Sequence, residues 1–162
     1  MKPFKVTGIQ YAALPYRFEG RRLSVLLITS RGTRRWVIPK GWPMPGLRPQ
    51  DAAAIEAVEE AGVIGQVADH PLGSYQYMKL MKGGQAMAVQ VIVFPLRVDE
   101  QTLEFKETGQ RRLRWLSCHD AASRVAEPGL QRLIRDFGTA QSANPVVQLF
   151  QRYRAWRFGP AA

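Results

Sequence analysis

The sequence predicts a mixed α/β domain in which helices pack on a mixed β-sheet. Strand-like segments rich in β-branched and aromatic residues lie on both sides of one alanine-rich helical segment at residues 49–61. Further helical segments follow towards the C-terminus. The length of 162 residues suits one domain with a single sizeable core, so we interpret residues 1–162 as a single domain.

Three strands are predicted in the N-terminal part of the chain. Residues 6–16 mix β-branched and aromatic side chains, and residues 23–30 form an apolar run between polar turns. Residues 35–41 form a shorter strand that Pro39 ends, because proline has no N–H for the ladder. Residues 41–49 contain three prolines and are predicted to be an irregular loop.

A helix is predicted directly after this loop. Pro49 fits its first turn, where a missing N–H costs no hydrogen bond, and Gly62 fits its C-terminal end. One side of the helix is apolar and mostly small, so we expect a close approach to the sheet. The residues predicted on that side are Ala54, Ala57, Val58 and Ala61.

The second half of the chain is predicted to continue the sheet. Residues 71–80 and 86–98 are strand-like, and the Gly-Gly turn between them indicates a hairpin. Residues 111–117 read as a further strand.

Three helical segments are predicted after the last strand. Ser117 or Asp120 caps a short one over residues 121–126, and residues 128–137 form the second. The third, at about residues 144–158, begins with an Asn-Pro pair typical of a helix start, and we expect it to pack on the domain. Contact with nucleic acid or a membrane is the alternative. The packing face would contain Val146, Phe150, Tyr153 and Arg157, and the alternative contact would use Arg152, Arg154 and Arg157.

The chain carries a large positive charge and a single cysteine. Its 23 Lys and Arg against 13 Asp and Glu give a formal net charge of +10, which favours nucleic acid, a phosphate-rich small molecule or an anionic surface as partner. Cys118 excludes an internal disulfide and indicates a reducing, cytoplasmic compartment. No apolar run is long enough for a signal sequence or a membrane span, so no membrane partner is expected.

Three glutamates of the predicted helix share one stripe of its surface. Glu56 and Glu60 stand one helical turn apart, and Glu59 lies beside them. Like charges at these separations are mildly unfavourable when no cation is near them. The stripe is therefore either an ordinary solvated face or a cation-binding site, for which carboxylates would suit Mg²⁺ or Mn²⁺.

The segment that contains this stripe, GWPMPGLRPQDAAAIEAVEEAGV at residues 41–63, resembles the Nudix box. That pattern is G-x5-E-x7-R-E-U-x-E-E-x-G-U, in which U is a bulky apolar residue. The order of strands around the segment is also similar to the Nudix α/β/α sandwich, with its mixed sheet and its loop-helix-loop. The positions that match at the required spacing are Gly41, Glu56, Glu59, Glu60, Gly62 and Val63.

Two positions depart from this pattern. Leu47 stands where the box has its first glutamate, and Ile55 stands where it has an arginine. The resemblance implies that this arginine pairs with the helix carboxylates and orients them. Ile55 supplies no such charge. Either another cation substitutes for it, or the site is slower, or catalysis is lost. The substitutes considered are Arg35, Lys40 and Arg48.

The resemblance implies a site that binds Mg²⁺ or Mn²⁺. Glu59, Glu60 and the carbonyl of Gly41 would hold the ion, and Glu56 would be a further ligand or the group that activates water. A carboxylate from a later segment is implied as well. The candidates for it are Glu107 and, second, Glu104.

The activity implied is hydrolysis of diphosphate linkages in a highly phosphorylated small molecule. The stretch WVIPKGWP and the basic charge resemble most the diphosphoinositol-polyphosphate phosphohydrolase group, whose members also tend to accept dinucleoside polyphosphates. The alternatives are an RNA 5′-pyrophosphohydrolase and a catalytically weakened, Nudix-like ligand-binding module. Trp36 and Trp42 are interpreted as packing residues, with base stacking as the alternative. The candidate substrate-binding residues are Lys40, Arg35, Arg48, Lys79 and Lys82.

Overall fold

The computed structural model describes residues 5–158 of the chain. Within these residues the strands form one mixed sheet. The strands are β1 (Gly8–Glu19), β2 (Arg22–Thr29), β3 (Trp36–Val37), β4 (Lys40–Gly41), β5 (Val63–Val67), β6 (Gly73–Leu80), β7 (Ala86–Gln101) and β8 (Leu113–Leu116). The helices are α1 (Pro49–Ala61), α2 (Cys118–Arg124), α3 (Pro128–Ala143) and α4 (Pro145–Phe158).

A parallel pair of long strands, β1 and β7, lies at the centre of the sheet. On one side, β2 pairs antiparallel with β1 and carries β3 and β8; on the other, β5 and β6 both pair antiparallel with β7. The short strand β4 pairs with β1, so that Tyr11 lies opposite Gly41 and Ala12 opposite Lys40. This pairing fixes the first residues of the 41–63 segment against the centre of the sheet.

Both faces of the sheet are covered, which makes the fold an α/β/α sandwich. Alternate residues of β2 point to opposite faces: Leu27 packs in the core beneath α2 and α3, and Leu26 packs in the core beneath α1. Both are fully buried, which explains why this strand reads as a continuous apolar run. The fold class predicted from the sequence is confirmed.

Helix α1 approaches the sheet through alanines. Ala53, Ala57 and Ala61 have no exposed surface, and they pack in the core cluster of that face. The expectation for Val58 was wrong, since 37% of its surface is exposed. The predicted ends are confirmed: Pro49 lies in the first turn, and Gly62 has φ 66°, with its N–H donating to carbonyls of the last turn.

Several boundaries differ from those predicted. The segment at 35–41 is two short strands, because Trp36–Val37 pairs with β2 whereas Lys40–Gly41 pairs with β1. Strand β5 was not predicted at all. Helix α2 is capped by Ser117, whose side chain accepts a hydrogen bond from the N–H of Asp120, which decides between the two predicted caps. The hairpin between β6 and β7 is present as predicted.

Helix α4 forms over the predicted residues. The side chain of Asn144 accepts a hydrogen bond from the N–H of Val146 at 2.9 Å, as expected of a cap. The helix contacts α3. Four large apolar side chains among the described ones are more than half exposed: Val146, Leu149, Tyr153 and Trp156. The side chains of Phe150 and Arg154, named in the sequence predictions, lie outside the described ones.

None of the helices within residues 5–158 combines the length and the apolar character needed to cross a membrane. The cytoplasmic location and the single-domain interpretation stay predictions.

Candidate active site

A cavity of about 640 Å³ opens beside the C-terminal half of α1 and the strand β4. Its volume is in the range of small-molecule sites. It is lined by side chains of both charges. The acidic ones are Glu56, Glu59, Glu60 and Glu107, and the basic ones are Arg31, Lys40, Lys79 and Arg111.

Gly41 and Glu56 make the closest contact between β4 and α1. A Cβ built at Gly41 would lie 1.9 Å from Oε1 of Glu56, well inside any allowed contact. Any other residue at this position would therefore displace the Glu56 carboxylate, which fills the space that a Cβ would need. The carboxylate and the Gly41 backbone are thereby held together at the cavity wall.

Glu60 is the buried carboxylate of the site, with 8% of its surface exposed. Its Oε2 accepts a hydrogen bond from the N–H of Lys40 at 3.3 Å, and its Oε1 accepts one from Nη2 of Arg111 at 2.8 Å. Both oxygens are therefore tied to groups outside the helix. The position of this carboxylate is fixed by β4 on one side and by the segment before β8 on the other.

Arg111 is nearly buried and connects two carboxylates. Its side chain is 7% exposed, and its Nε donates to Oε2 of Glu107 at 2.5 Å. Its Nη1 donates to the carbonyl of Thr29 at 3.0 Å, at the end of β2. The predicted carboxylate from a later segment, Glu107, thus lies in the same cavity as the helix glutamates, and Arg111 links it to Glu60.

Glu59 lies at the open edge of the site. Its carboxylate pairs with Lys106 at 2.9 Å, and its backbone carbonyl accepts a hydrogen bond from the N–H of Glu107 at 3.1 Å. The loop that carries Glu107 is therefore fastened to the C-terminal half of α1 by its backbone. An ion pair this exposed contributes little to stability by itself.

Burial dominates the protonation of the acidic groups. Loss of solvent raises the pKa of Glu60 to about 7, although the positive charges of Arg111 and Lys40 act in the opposite direction. Burial, with the neighbouring charges of Glu59 and Glu107, also raises the pKa of Glu56. A cation placed among these carboxylates would favour their ionised forms.

The donor chemistry of the acidic side fits a hard divalent cation. Carboxylate oxygens and a backbone carbonyl at a glycine are the ligands that Mg²⁺ and Mn²⁺ prefer. Within residues 5–158, however, no three acidic, histidine or cysteine side chains are already grouped around one point. The pairings of Glu60 and Glu107 with Arg111, and of Glu59 with Lys106, account for this arrangement.

Two lysines of the cavity lining lie near aromatic rings, of which Trp42 also lines the cavity. The ammonium of Lys40 lies 5.4 Å from the ring centre of Tyr77, and that of Lys79 lies 5.9 Å from the ring centre of Trp42. The hydroxyl of Tyr77 donates to the buried Gln10 at 2.7 Å. Burial lowers the pKa of Lys40 to about 8, which still leaves it mostly protonated at neutral pH.

The other predicted substrate-binding residues lie outside the cavity lining. Arg35 pairs with Glu127 at 3.0 Å, and Arg48 pairs with Asp51 at 2.7 Å. Lys82 is exposed in the turn between β6 and β7. Their contact with a substrate stays a prediction, whereas Lys40 and Lys79 line the cavity as the prediction requires.

Neither departure from the box pattern lies in the cavity. Leu47 is 41% exposed in the loop before α1. Ile55 lies in a separate shallow depression that Val58 and Ile64 also line. Glu104, the second candidate for the later carboxylate, is exposed and outside the cavity lining.

The residue that sequence reasoning missed is Arg111. It was considered only as part of a strand, because it lies far along the chain from the helix it contacts. Its spacing from Glu107 gave no signal, because residues four apart face each other on a helix and this segment consists of turns. A buried carboxylate next to a nearby arginine usually forms a pair.

Comparison with known proteins identifies the family. The profile described as NUDIX domain matches residues 7–137. Nudix hydrolase 12, mitochondrial, of Arabidopsis thaliana is 29% identical over 119 residues, which cover 72% of this chain and 59% of that protein. Diphosphoinositol polyphosphate phosphohydrolase 3-alpha of Mus musculus is 29% identical over 112 residues, or 68% of this chain and 64% of that protein. The chain thus spans about three fifths of the length of these relatives.

Solved structures agree on the fold. A C. elegans Ap4A hydrolase superposes with a TM-score of 0.61 at 20% identity, and the match covers 83% of this chain and 98% of that one. At 20% identity, the structural match shows a shared fold alone. The family is shown by the profile, which matches most of the chain. The chain belongs to the Nudix hydrolase family.

Proposed function

We propose that this protein hydrolyses a diphosphate linkage in a highly phosphorylated small molecule, with a divalent metal ion bound at the acidic side of its cavity. The observation that carries the proposal is that four carboxylates and four cationic side chains line one cavity. Nudix hydrolases generally use divalent metal ions. A cavity with both charges can bind a cation and a polyanion at the same time.

The residues that would hold the metal are the acidic ones of the cavity. Bound there, a divalent ion would neutralise phosphate oxygens and lower the pKa of a water molecule. The proposed ligands are Glu56, Glu59, Glu60, Glu107 and the carbonyl of Gly41.

Glu56 is our candidate for the group that accepts a proton from the attacking water. Among residues 5–158, it is the glutamate of the cavity that has no ion pair, so its carboxylate does not have to give up a partner. Its carboxylate also lies in the same cavity as the proposed metal ligands, within reach of a water bound there.

Lys40 and Lys79 are proposed to bind the phosphates that are not cleaved. Both line the cavity, and both lie near aromatic rings that limit the directions available to their ammonium groups. The substrate class we favour is a diphosphoinositol polyphosphate or a dinucleoside polyphosphate. The names of two similar proteins, one from mouse and one from C. elegans, support this choice.

A substrate panel tests the proposal. Phosphate release is measured from a diphosphoinositol polyphosphate, from Ap4A and from a short 5′-triphosphorylated RNA, with Mg²⁺, with Mn²⁺ and with EDTA. We expect turnover of at least one small molecule that requires the metal. Glu60→Gln should reduce kcat by about 100-fold or more, because a metal ligand is lost.

Glu104→Gln is the matched control, since it removes an equivalent charge from an exposed glutamate outside the cavity. It should keep the activity of the unchanged protein. No turnover of any compound, or equal activity of Glu60→Gln, would contradict hydrolysis at this site. Tight binding without turnover would support the ligand-binding module instead, and turnover of RNA alone would support the 5′-pyrophosphohydrolase.

A further inference from the structure

We propose that Arg111 is a positioning residue that holds Glu60 and Glu107 ready for the metal, and that it replaces the arginine absent from position 55. The inference deepens the proposed function and rests on it. It concerns a residue on a loop between strands, outside the helix that carries the family pattern.

The contacts of Arg111 hold it in one orientation. All three nitrogens of its guanidinium donate to different partners: Nη2 to Glu60, Nε to Glu107 and Nη1 to the carbonyl of Thr29. A planar guanidinium presents its donors in a fixed fork, so three acceptors in its plane are fixed relative to one another. With 7% of the side chain exposed, solvent does not compete for these bonds.

The backbone around Arg111 is anchored to the sheet. The N–H of Thr29 donates to the carbonyl of Arg112 at 3.0 Å, and the N–H of Arg112 donates to the hydroxyl of Thr29 at 2.9 Å. Arg111 therefore reaches the carboxylates from the end of β2, which is part of the rigid core. The helix supplies Glu60, and the segment between β7 and β8 supplies both Glu107 and the cation that orients the two acids.

The other cations near the site are less suited to this role. Arg31 also pairs with Glu107, at 3.3 Å, but its side chain is 60% exposed, and the arginine that bonds to Glu60 is Arg111. Arg35 and Arg48 have acidic partners elsewhere, and Lys40 bonds to Glu60 through its backbone N–H rather than its ammonium. Lys106 binds Glu59 but is 66% exposed, which leaves it mobile compared with Arg111.

Charge and positioning predict opposite changes in metal affinity when Arg111 is removed. If the guanidinium acted only through its charge, its loss would remove repulsion and a divalent cation would bind more tightly. If it acts by positioning, its loss frees both carboxylates and the cation binds more weakly. Loss of outer partners of metal ligands commonly weakens metal binding about 10–100-fold. Metal affinity therefore separates the two roles without any substrate.

The test is a titration with Mn²⁺ alone, with free Mn²⁺ followed by electron paramagnetic resonance. We expect Arg111→Met to raise the Kd about 10–100-fold. Arg111→Lys keeps the charge but loses the fork, and it should weaken binding by a smaller factor. Arg114→Met is the matched control, because Arg114 is an exposed arginine on the adjoining strand β8, and its Kd should be unchanged.

Thermal unfolding of each variant in EDTA shows whether the titrated protein is folded. If Arg111→Met does not unfold cooperatively, the Mn²⁺ affinity of Arg111→Lys tests the proposal. An unchanged Kd in that variant would show that the fork of the guanidinium is irrelevant. Equal or tighter Mn²⁺ binding by a folded variant overturns the role of Arg111 while leaving the proposed function intact. Absence of Mn²⁺ binding by the unchanged protein overturns both.

Discussion

The absence of a side chain at Gly41 leaves room for the Glu56 carboxylate in the site. The Glu56 carboxylate occupies the space where a Cβ would be, so the backbone of β4 and the acid of α1 are in contact. Gly41 matches the family pattern. The constraint on it is steric and not conformational, because its φ is not among the positive values that favour glycine.

We expect Gly41→Ala to displace Glu56 and lower kcat about 10-fold or more, because a shift of about 1 Å at a reacting group commonly costs up to 100-fold in rate. Steady-state assays on the best substrate of the panel measure this. Gly32→Ala is the control: Gly32 borders the same cavity, but a Cβ there meets no atom within 4 Å. Equal losses in both variants would show that the contact with Glu56 is not the cause.

The residues of the site differ in how far sequence could predict them. The helix glutamates and Gly41 follow from a spacing pattern, because one helix turns its i and i+4 residues to the same side. Arg111 does not follow from local spacing, because its partner Glu60 lies 51 positions away in the chain. Ile55 looked like a defect in the pattern, whereas in the structure it belongs to an apolar surface away from the cavity.

At the scale of elements, the contact between β5 and β7 depends on a glycine. The pairing register shifts between Ile64 and Gly65, and a Cβ at Gly65 would lie 1.8 Å from the carbonyl oxygen of Arg97. The neighbouring backbone, not a flexible side chain, occupies that space. The irregularity therefore allows the strand that follows α1 to join the sheet.

Gly65→Ala should lower the free energy of unfolding by about 1–3 kcal/mol, since the added methyl group forces the two strands apart. Urea denaturation followed by circular dichroism measures the change. Gln66→Ala changes an exposed neighbour on the same strand and should alter the free energy by less than about 0.5 kcal/mol. A loss at Gly65 no larger than that at Gln66 would contradict the steric explanation.

Elements with a strong internal pattern were predicted, and those defined by distant partners were not. Local signals define the buried runs of β2 and β7, the proline at the start of α1 and the glycine at its end. Strand β5 has five residues with a glycine inside, and its pairing with β7 is what makes it a strand. The split of 35–41 likewise comes from two different partners, β2 and β1.

On the scale of the whole molecule, the last helix stands apart from the sandwich. The family profile ends at residue 137, and α4 contacts α3 while four of its large apolar side chains are more than half exposed. Apolar surface that stays in contact with water adds nothing to the hydrophobic stabilisation of the fold.

Truncation after Ala143 should therefore lower the Tm by less than about 4 °C, which for a domain of this size corresponds to roughly 1 kcal/mol. Differential scanning calorimetry of the two chains compares them. A decrease of more than about 10 °C would show that α4 packs on the domain through a substantial apolar face, as the sequence predicts.

The parallel pairing of β1 with β7 sets the order in which the protein can assemble. Gly8 lies opposite Val89. The two central strands can therefore pair only when the long loop of chain between them is closed. Arg111 comes later still, and Glu60 does not meet this guanidinium until the segment before β8 is in place. During synthesis on the ribosome, the helix glutamates therefore emerge long before their cationic partner, and folding of this topology is expected to be slow compared with that of a helical bundle.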